Sequence, residues 1–293
     1  MRRLPAPFVV GVRRSGTTLL RLMLDSHPEL AIPLETHFVP DLIGAAGELP
    51  SGASAERLAD VMTSHQRWGD FRLDADELRE RLRRLERPAP GDVVRTFYAL
   101  YAEHQGKPRW GDKTPKYLSH MRTIEDVLPE ARFVHLIRDG RDAALSVLSQ
   151  DSGLKSVEKA AKSWKNSIER GRNEARGVGH YLEVRYEDLI LDTERTLRKV
   201  CEFCELPWDP AILSYHERAE ERLREMARDL PRPGRSPRPA ASRLASHALA
   251  KEPPRADRVD RWRTEMSATD RAAFEEVAGE LLDELGYESG GRP

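Results

Sequence analysis

The sequence predicts an α/β fold in which a doubly wound parallel sheet is flanked by helices and carries a helical cap insertion. Three short apolar runs, at residues 7–11, 132–137 and 181–186, are each followed by a segment with helical periodicity. Strands that alternate with helices in this way form parallel sheets. We expect a single domain over residues 1–293, because a chain of this length can bury one large core.

Each apolar run leads into one helix of the expected fold. The first run is followed by a helical pattern at residues 17–25, the second by one at residues 143–148 and the third by one at residues 193–204. A last helix begins after Ser267 as its N-cap and ends at Gly286, with its apolar side chains on one face. We expect that face to pack on the core.

Two other segments depart from the alternation of strand and helix. At about residues 40–110, charged amphipathic stretches at residues 74–86 and 92–105 predict helices, which we assign to a cap over the sheet edge. Residues 230–258 are rich in proline and arginine. Because proline interrupts regular structure and loops of this length are often lids or disordered, we expect a loop there, and the sequence leaves its order open.

Composition narrows the location and the partners of the chain. The 48 basic and 49 acidic residues leave a net charge of −1, so no overall field would attract nucleic acid or an anionic membrane. No apolar run approaches the roughly 18 residues of a membrane span, and the N-terminal run is too short for an export signal. We therefore expect a cytoplasmic protein without nucleic-acid or membrane partners, and the sequence leaves its oligomeric state open.

The two cysteines, Cys201 and Cys204, have CxxC spacing on a predicted helix. A zinc site would need further ligands, and no second cysteine pair or nearby histidine accompanies them. We interpret both as core thiols and expect no metal site.

The run from Gly11 to Thr18, GVRRSGTT, lies where the first strand turns into a helix. In this geometry, backbone N–H groups and the helix dipole hold a phosphate, as in P-loop folds. The glycine spacing of the nucleotide-triphosphatase pattern GxxxxGK[ST] is kept by Gly11 and Gly16, but Thr17 replaces its lysine. The loop therefore predicts an anion site that lacks the usual charge for ATP chemistry.

The segment Arg14-Ser-Gly-Thr-Thr18 resembles the 5′-phosphosulfate loop of PAPS-dependent sulfotransferases, which reads RSGTT or KSGTT after a strand. The resemblance implies in-line transfer of a sulfuryl group from PAPS (3′-phosphoadenosine 5′-phosphosulfate) to an acceptor hydroxyl, with PAP as product and no metal. It assigns the 5′ end of the donor to a run of six residues. These are Arg13, Arg14, Ser15, Gly16, Thr17 and Thr18.

The resemblance also implies a site for the 3′-phosphate of the donor. In the family, an arginine at a strand end and a serine on the next helix hold this phosphate, and Arg138 and Ser146 match them. A guanidinium can donate two parallel hydrogen bonds to a phosphate, and the hydroxyl adds another. Tyr186 and Arg261 are further matches near the nucleotide. Taken alone, Arg138 would be expected to pair with Asp139 or Asp142.

The catalytic residues are also assigned from the resemblance. The stretch LDSHPEL and a Glu-Thr pair after RSGTT resemble tyrosylprotein sulfotransferases more closely than cytosolic phenol sulfotransferases. Glu35 matches the general base of that family, which takes the proton of the acceptor hydroxyl. The motif GDKTPKY places Lys113 beside the transferring group, and Arg14 covers the other side. Ordinary surface pairing, for example of Lys113 with Asp112, is the alternative.

Two histidines lie near Glu35. His27, which precedes a proline, is interpreted as a structural residue, and His37 as a candidate for the substrate pocket and an alternative base. We expect no membrane anchor, and no cysteines lie near Glu35 or Lys113 in the sequence, unlike in the secreted tyrosylprotein enzymes. The acceptor therefore stays open between a phenol, a peptide tyrosine, a sugar and an alcohol.

Two other functions compete with sulfuryl transfer. A P-loop kinase of a small molecule would use ATP, and Thr17 in place of the loop lysine argues against it. A non-catalytic protein that binds PAP or another nucleotide would keep the loop but would need neither Glu35 nor Lys113.

Overall fold

The computed structural model confirms a mixed α/β chain with a central parallel sheet flanked by helices. Residues 49–54 and 86–88, which fall in the predicted cap, lie outside the described residues. The described ranges are 3–48, 55–85, 89–149 and 156–288.

Within these ranges, eight strands form one four-stranded sheet and two pairs. The strands are β1 (Ala6–Gly11), β2 (Leu30–Ala31), β3 (Arg109–Trp110), β4 (Asp112–Lys113), β5 (Ala131–Ile137), β6 (Tyr181–Arg185), β7 (Leu230–Arg232) and β8 (Arg235–Arg238).

The α-helices of the described chain surround this sheet and fill the connections between its strands. They are α1 (Thr17–Asp25), α2 (Val39–Glu48), α3 (Ala55–Thr63), α4 (Ala75–Arg83), α5 (Pro90–His104), α6 (Met121–Val127), α7 (Gly140–Leu148), α8 (Val157–Ala175), α9 (Tyr186–Leu191), α10 (Thr193–Phe203), α11 (His216–Leu223), α12 (Ala240–Ala245), α13 (Trp262–Glu265) and α14 (Ala268–Glu284).

The central sheet has the strand order β4-β1-β5-β6, and all of its pairs are parallel. Strand β1 is buried along its whole length, and its Phe8 pairs with Asp112 on one side and with Phe133 on the other. A continuous apolar run is what a central parallel strand requires. The three strands predicted from apolar runs are β1, β5 and β6.

Strands β4 and β5 follow one another along the chain but lie on opposite sides of β1. This change of direction makes the carboxyl end of β1 a topological switch point, the place where open α/β sheets bind ligands. The predicted phosphate loop lies at this end.

A second parallel pair, β2 with β3, lies beside the sheet. Leu30 pairs with Arg109 and Ala31 with Trp110, and the N–H of Gly111 donates to the Ala31 carbonyl at 3.0 Å. Helices α2 to α5 are inserted between these two strands, in the region predicted as the cap. The insertion therefore begins and ends at neighbouring strands.

Local capping agrees with the helices expected from the sequence. Asp74 caps α4 by accepting from the Asp76 N–H, and Ser267 caps α14 by accepting from the Asp270 N–H. Gly286 follows α14 with a φ of +73°, as expected for a helix end. In the described parts of the chain, no helix is both long and apolar enough to cross a bilayer.

The expectation of an irregular loop at residues 230–258 is wrong. This segment contains the β7–β8 ribbon, helix α12 and two short 3-10 turns. Its prolines occupy places that regular structure tolerates. Pro231 and Pro237 lie in a two-stranded ribbon, which has only edge strands, and Pro239 is the N-cap of α12. We name residues 230–258 the C-terminal strap.

Candidate active site

The loop between β1 and α1 has the backbone of an anion cradle. Gly16 is the N-cap of α1 with a φ of +96°, and Arg14 is also left-handed with a φ of +69°. The Ser15 hydroxyl donates to the Val12 carbonyl at 2.8 Å and stabilises the turn. Helix α1 has neither a capping side chain nor an acidic residue in its first turn. Its first N–H groups and the positive end of its dipole are therefore available to an anion.

Both glycines of the loop are required by close packing. A Cβ on Gly11 would lie 2.7 Å from the Leu136 carbonyl oxygen, and a Cβ on Gly16 would lie 2.5 Å from the ring of Tyr186. Tyr186 thus packs directly against the loop, which places this predicted residue in the site.

Arg14 connects the loop to helix α7. Its Nε donates to the Ser146 hydroxyl at 2.9 Å, and its Nη1 donates to the Ser246 carbonyl at 3.0 Å. Among the described residues, no carboxylate oxygen lies within 4.0 Å of its guanidinium. Burial and the nearby charges of Arg138 and Arg13 lower the pKa of Arg14. Arg13, Arg14 and Arg138 therefore form a positively charged group with room for an anion.

Arg138 immediately follows β5 and is 7% exposed. Its Nη2 contacts the Asp142 carboxylate at 3.2 Å and the Arg258 carbonyl at 2.8 Å, while its guanidinium lies 4.4 Å from the ring centroid of Tyr186. The expected aspartate pairing is thus present. The buried Nε of Arg138 nevertheless has no hydrogen-bond partner within the described chain. An unpaired donor of this kind is costly unless a ligand satisfies it.

The remaining residues that were predicted to bind PAPS lie at different places in the structure. Thr17 and Thr18 lie in the first turn of α1, and Arg13 is exposed at the rim. Arg261 pairs with Glu265 at 2.8 Å, which raises its pKa, and the charge of Asp142, the partner of Arg138, adds to this effect. Its role at the nucleotide stays a prediction.

Glu35 and Lys113 form an ion pair, with 2.8 Å between Glu35 Oε1 and Lys113 Nζ. Lys113 is 1% exposed, and its Nζ lies 3.4 Å from the Thr18 hydroxyl at the start of α1. Burial lowers the pKa of Lys113, and the charge of Glu35 opposes this effect. The expected catalytic pair therefore adjoins the anion cradle, and Lys113 does not pair with Asp112.

Glu35 is surrounded by positive and hydrogen-bonding groups. Its Oε2 lies 2.9 Å from His37 Nε2 and 3.5 Å from Arg67 Nη2. Burial by itself would raise the pKa of Glu35, but Lys113, His37 and Arg67 together hold it well below its usual range. Glu35 is therefore an ionised carboxylate, and these contacts keep it a weak base as long as they are in place.

The two histidines near Glu35 have different environments. His27 is 1% exposed, with its Nε2 2.7 Å from the Pro207 carbonyl and its Nδ1 accepting from the Glu29 N–H, which agrees with a structural role. His37 is partly exposed, has a φ of +60° and is hydrogen bonded to Glu35. His37 and Glu35 are therefore one unit, and contact of His37 with an acceptor stays a prediction.

Several residues of the site were not found from the sequence. Arg67 comes from the cap, and Ser246, His247 and Arg258 come from the C-terminal strap. Burial and the charge of Lys113 lower the pKa of His247 to about 3, which locates His247 beside the ion pair. No local sequence pattern marks any of these residues, because they reach the site through contacts that are distant in sequence.

The cysteines are core residues, as predicted. Cys201 and Cys204 are free thiols, 2% and 1% exposed, and burial raises their pKa values to about 11 and about 12. Within the described ranges, no group of three or more metal-ligating side chains comes together.

Comparison with known proteins identifies the family. The model of the "Sulfotransferase family" matches residues 5–210, well over half of the chain. The chain belongs to the sulfotransferase family. The matched sulfotransferase region holds the loop, Glu35, Lys113, Arg138 and Tyr186, and it ends before the C-terminal strap.

Named sulfotransferases show similarity over most of this chain. A protein-tyrosine sulfotransferase of Drosophila melanogaster is 28% identical over 74% of this chain and 41% of its own length. Protein-tyrosine sulfotransferase A of Caenorhabditis elegans is 26% identical over 74% of this chain and 53% of its own. Human protein-tyrosine sulfotransferase 1 is 28% identical over 73% and 55%. The chain spans about half the length of the curated relatives it matches.

Two solved sulfotransferase domains share the fold over nearly their whole length. The domain from the Synechococcus PCC 7002 olefin synthase has a TM-score of 0.60 at 23% identity and covers 98% of this chain and 97% of that domain. The domain from the curacin biosynthetic pathway has a TM-score of 0.59 at 20% identity and covers 98% and 99%. These similarities establish the fold.

Proposed function

We propose that the chain transfers a sulfuryl group from PAPS to an acceptor hydroxyl. The observation that carries this proposal is the Glu35–Lys113 ion pair, whose lysine adjoins the anion cradle at Thr18. A base, a cation and an anion cradle in one place are the parts that such a transfer requires. Membership of the sulfotransferase family supports the same chemistry.

The residues present fit the two anionic ends of PAPS. The cradle of α1 and the carboxylate-free Arg14 suit the 5′-phosphosulfate, which carries the activated sulfuryl group that PAPS supplies. The unpaired Nε of Arg138 and the Ser146 hydroxyl suit the 3′-phosphate. Tyr186 lies between these two groups, in contact with both the loop and Arg138.

In this proposal, Glu35 accepts the proton of the acceptor hydroxyl, since its carboxylate is ionised. Lys113 supplies positive charge where negative charge develops on the departing oxygen, and Arg14 does so from the loop side. When Lys113 turns its hydrogen bonds toward that oxygen, Glu35 loses part of the stabilisation that keeps its pKa low. The base therefore becomes stronger when it is needed.

A phenolic hydroxyl is the first acceptor to test. The relatives are named protein-tyrosine sulfotransferases, and this chain is similar to part of each. The proposal also covers sugars, alcohols and small phenols, because acceptor choice is expected to rest with the cap at about residues 40–110, which carries no acceptor motif. Metal-independent transfer is also part of the proposal.

The cytoplasm is the compartment that we propose. Cys201 and Cys204 are free in the structure, and reduced thiols are stable in the cytoplasm. A thiol count on protein isolated from its native cells under denaturing, alkylating conditions tests this assignment. Two alkylated cysteines per chain would agree with it, and export with removal of an N-terminal segment would contradict it.

The decisive experiment separates donor binding from transfer. Calorimetric titration in EDTA compares PAP, AMP (which lacks the 3′-phosphate) and ADP, and we expect PAP to bind at least about tenfold more tightly than the other two. Radiolabelled sulfur from PAPS should then appear on a tyrosine peptide or on one member of a panel of hydroxyl compounds. ADP that binds as tightly as PAP, together with phosphate transfer from ATP, would replace the proposal with a kinase.

A further inference from the structure

A buried polar cluster lies directly behind the Glu35–Lys113 pair. Its members are 0–1% exposed and hydrogen bond to one another. The proposed mechanism does not use them. They are Thr36, Tyr98, Asp112, Thr114 and Tyr117.

Thr36 is the centre of this cluster. Its hydroxyl donates to Asp112 Oδ2 at 2.9 Å, and its backbone N–H donates to the Thr114 hydroxyl at 3.0 Å. The Tyr117 hydroxyl lies 2.7 Å from the Thr36 oxygen and accepts from the Val39 N–H at 3.1 Å. Because the Thr36 proton goes to Asp112, Tyr117 donates to Thr36. These three hydrogen bonds hold Thr36, and its hydroxyl has two longer contacts of 3.4 Å with the hydroxyls of Tyr98 and Thr114.

These partners lie next to the catalytic pair along the chain. Thr36 follows Glu35, and Asp112 and Thr114 flank Lys113. Side chains alternate across an extended chain, so Asp112 and Thr114 point away from the Lys113 side chain. The two hydrogen bonds between Thr36 and these residues therefore join the Glu35 segment to the Lys113 segment on the side opposite the ion pair.

We propose that Thr36 and Asp112 are positioning residues that hold Glu35 and Lys113 in register. The kinetic part of this inference rests on the proposed function. A buried carboxylate is expensive, and an apolar pair of similar size would stabilise a core as well or better. A hydrogen bond is directional, so the buried bond between Thr36 and Asp112 fixes the position of the Glu35 segment relative to the Lys113 segment. An apolar contact would not specify this position. A displacement of about 1 Å in such a pair is enough to reduce turnover strongly.

The first test compares two substitutions of Thr36. Thr36→Val keeps the shape of the side chain but loses the hydroxyl, and Thr36→Ser keeps the hydroxyl. We expect Thr36→Val to lower kcat about tenfold or more with KM for PAPS and Kd for PAP unchanged, while Thr36→Ser stays close to the wild type. Equal kcat values in all three proteins would overturn the inference.

Tyr98→Phe is the matched control for stability. Tyr98 also donates to Asp112 Oδ2 at 2.9 Å, and its hydroxyl lies 3.4 Å from that of Thr36. It belongs to α5, and its loss leaves both direct hydrogen bonds between Thr36 and the Lys113 segment in place. Tyr98→Phe should lower the melting temperature about as much as Thr36→Val and leave kcat close to the wild type. A loss of kcat that follows the melting temperature in both variants would reduce Thr36 to a structural role and overturn the inference.

A measurement without turnover keeps this inference separate from the proposed function. Carbon-13 NMR of labelled glutamate, assigned with Glu35→Gln, reports the titration of Glu35 in the free protein. Loss of register weakens the contact with Lys113, so Thr36→Val should move the pKa of Glu35 upward toward the usual value near 4.3. An unchanged Glu35 titration would overturn the inference even if the chain proved not to use PAPS. If Thr36→Val does not fold, the same measurement is made on Thr114→Val, which removes the acceptor of the Thr36 N–H without a change of charge, with the same two outcomes.

Discussion

Glu35 and Lys113 are 78 residues apart in the sequence, yet their side chains meet at 2.8 Å. The parallel pair of β2 with β3 closes this distance, because Glu35 follows β2 and Lys113 lies in β4, directly after β3. The ion pair is therefore set by backbone pairing rather than by the flexible ends of two side chains.

Replacement of Glu35 by Gln should abolish most turnover without loss of donor binding. The amide keeps the size of the side chain but does not accept the acceptor proton, so we expect kcat to fall about 10²–10⁴-fold. Steady-state transfer from PAPS and calorimetry with PAP measure the two effects. Glu202→Gln, at an exposed position of α10, is the control and should match the wild type. Full activity of Glu35→Gln would assign the base elsewhere, with His37 as the first candidate.

Arg138→Lys should remove selectivity for the 3′-phosphate. Lysine keeps a positive charge near Asp142 but does not provide the two-pronged guanidinium, so the ratio of the AMP and PAP dissociation constants should fall about tenfold. The same calorimetric pair measured on Arg195→Lys, whose side chain is 85% exposed, provides the control. A uniform loss of affinity for both nucleotides would place the 3′-phosphate away from Arg138.

Gly16→Ala should damage the cradle more than a glycine substitution in open space. Gly106 has a φ of +68°, and a Cβ at this position would meet nothing within 4 Å, so Gly106→Ala should lose roughly 1–2 kcal/mol of unfolding free energy through backbone strain. Gly16→Ala adds a clash with Tyr186 and should lose at least about 1 kcal/mol more, as well as PAP affinity. Urea denaturation and calorimetry on both variants test this. Normal PAP binding by Gly16→Ala would contradict the assigned cradle.

His247 should make the protein less stable in acid. Its pKa is about 3 when folded, because of burial and Lys113, but near 6.5 when unfolded. As the pH falls from about 6.5 toward 3, the unfolded chain binds a proton that the folded protein excludes, so this stability is complete above pH 6.5 and lost below it. Relative to His247→Gln, the wild type should lose at most about 1.4 kcal/mol per pH unit in urea denaturation. If the unfolding free energies of the wild type and of His247→Gln changed with pH in the same way, His247 would be solvated in the folded protein and the prediction would be wrong.

Asp70 should hold the C-terminal strap on the cap. Its carboxylate is fully buried and binds three arginines, so Asp70→Asn should cost about 3–5 kcal/mol of unfolding free energy. Asp76→Asn, at a side chain that is 91% exposed and pairs with Arg79, should cost far less, because solvent screens an exposed pair. Denaturant titration of both variants measures their losses of unfolding free energy. A loss for Asp70→Asn no larger than that for Asp76→Asn would contradict the prediction. The three arginines are Arg67, Arg228 and Arg243.

The elements found from the sequence are those whose signal is local. Strand β1 is fully buried and is an uninterrupted apolar run, and the left-handed Gly16 marks the start of α1 five residues after the strand ends. Strand β5 is mostly apolar and leads into α7, which Asp139 caps. Short strands carry no such signal, so the two-residue β2, β3 and β4 were not predicted, although they set the geometry of the catalytic pair.

The residues missed at the site are held by contacts distant in sequence. Arg243 reaches Asp70 across 173 positions, and Ser246 reaches Arg14 across 232. A proline-rich segment ordered by buried ion pairs looks like an irregular loop when only its composition is considered. Glu35 and Lys113 were found only through the family resemblance, since their spacing alone predicts no contact.

The insertion between β2 and β3 begins and ends at neighbouring strands, so its helices can be exchanged as a unit. The chain leaves the core after Ala31 and returns at Arg109, and the two positions lie on paired strands about 5 Å apart. Helices between them can lengthen, shorten or be replaced without moving the backbone that carries the ion pair. Grafting helices α2 to α4 between homologous chains, with residues 32–38 and Arg67 kept, is therefore a direct route to new acceptors while Glu35 and Lys113 stay in place.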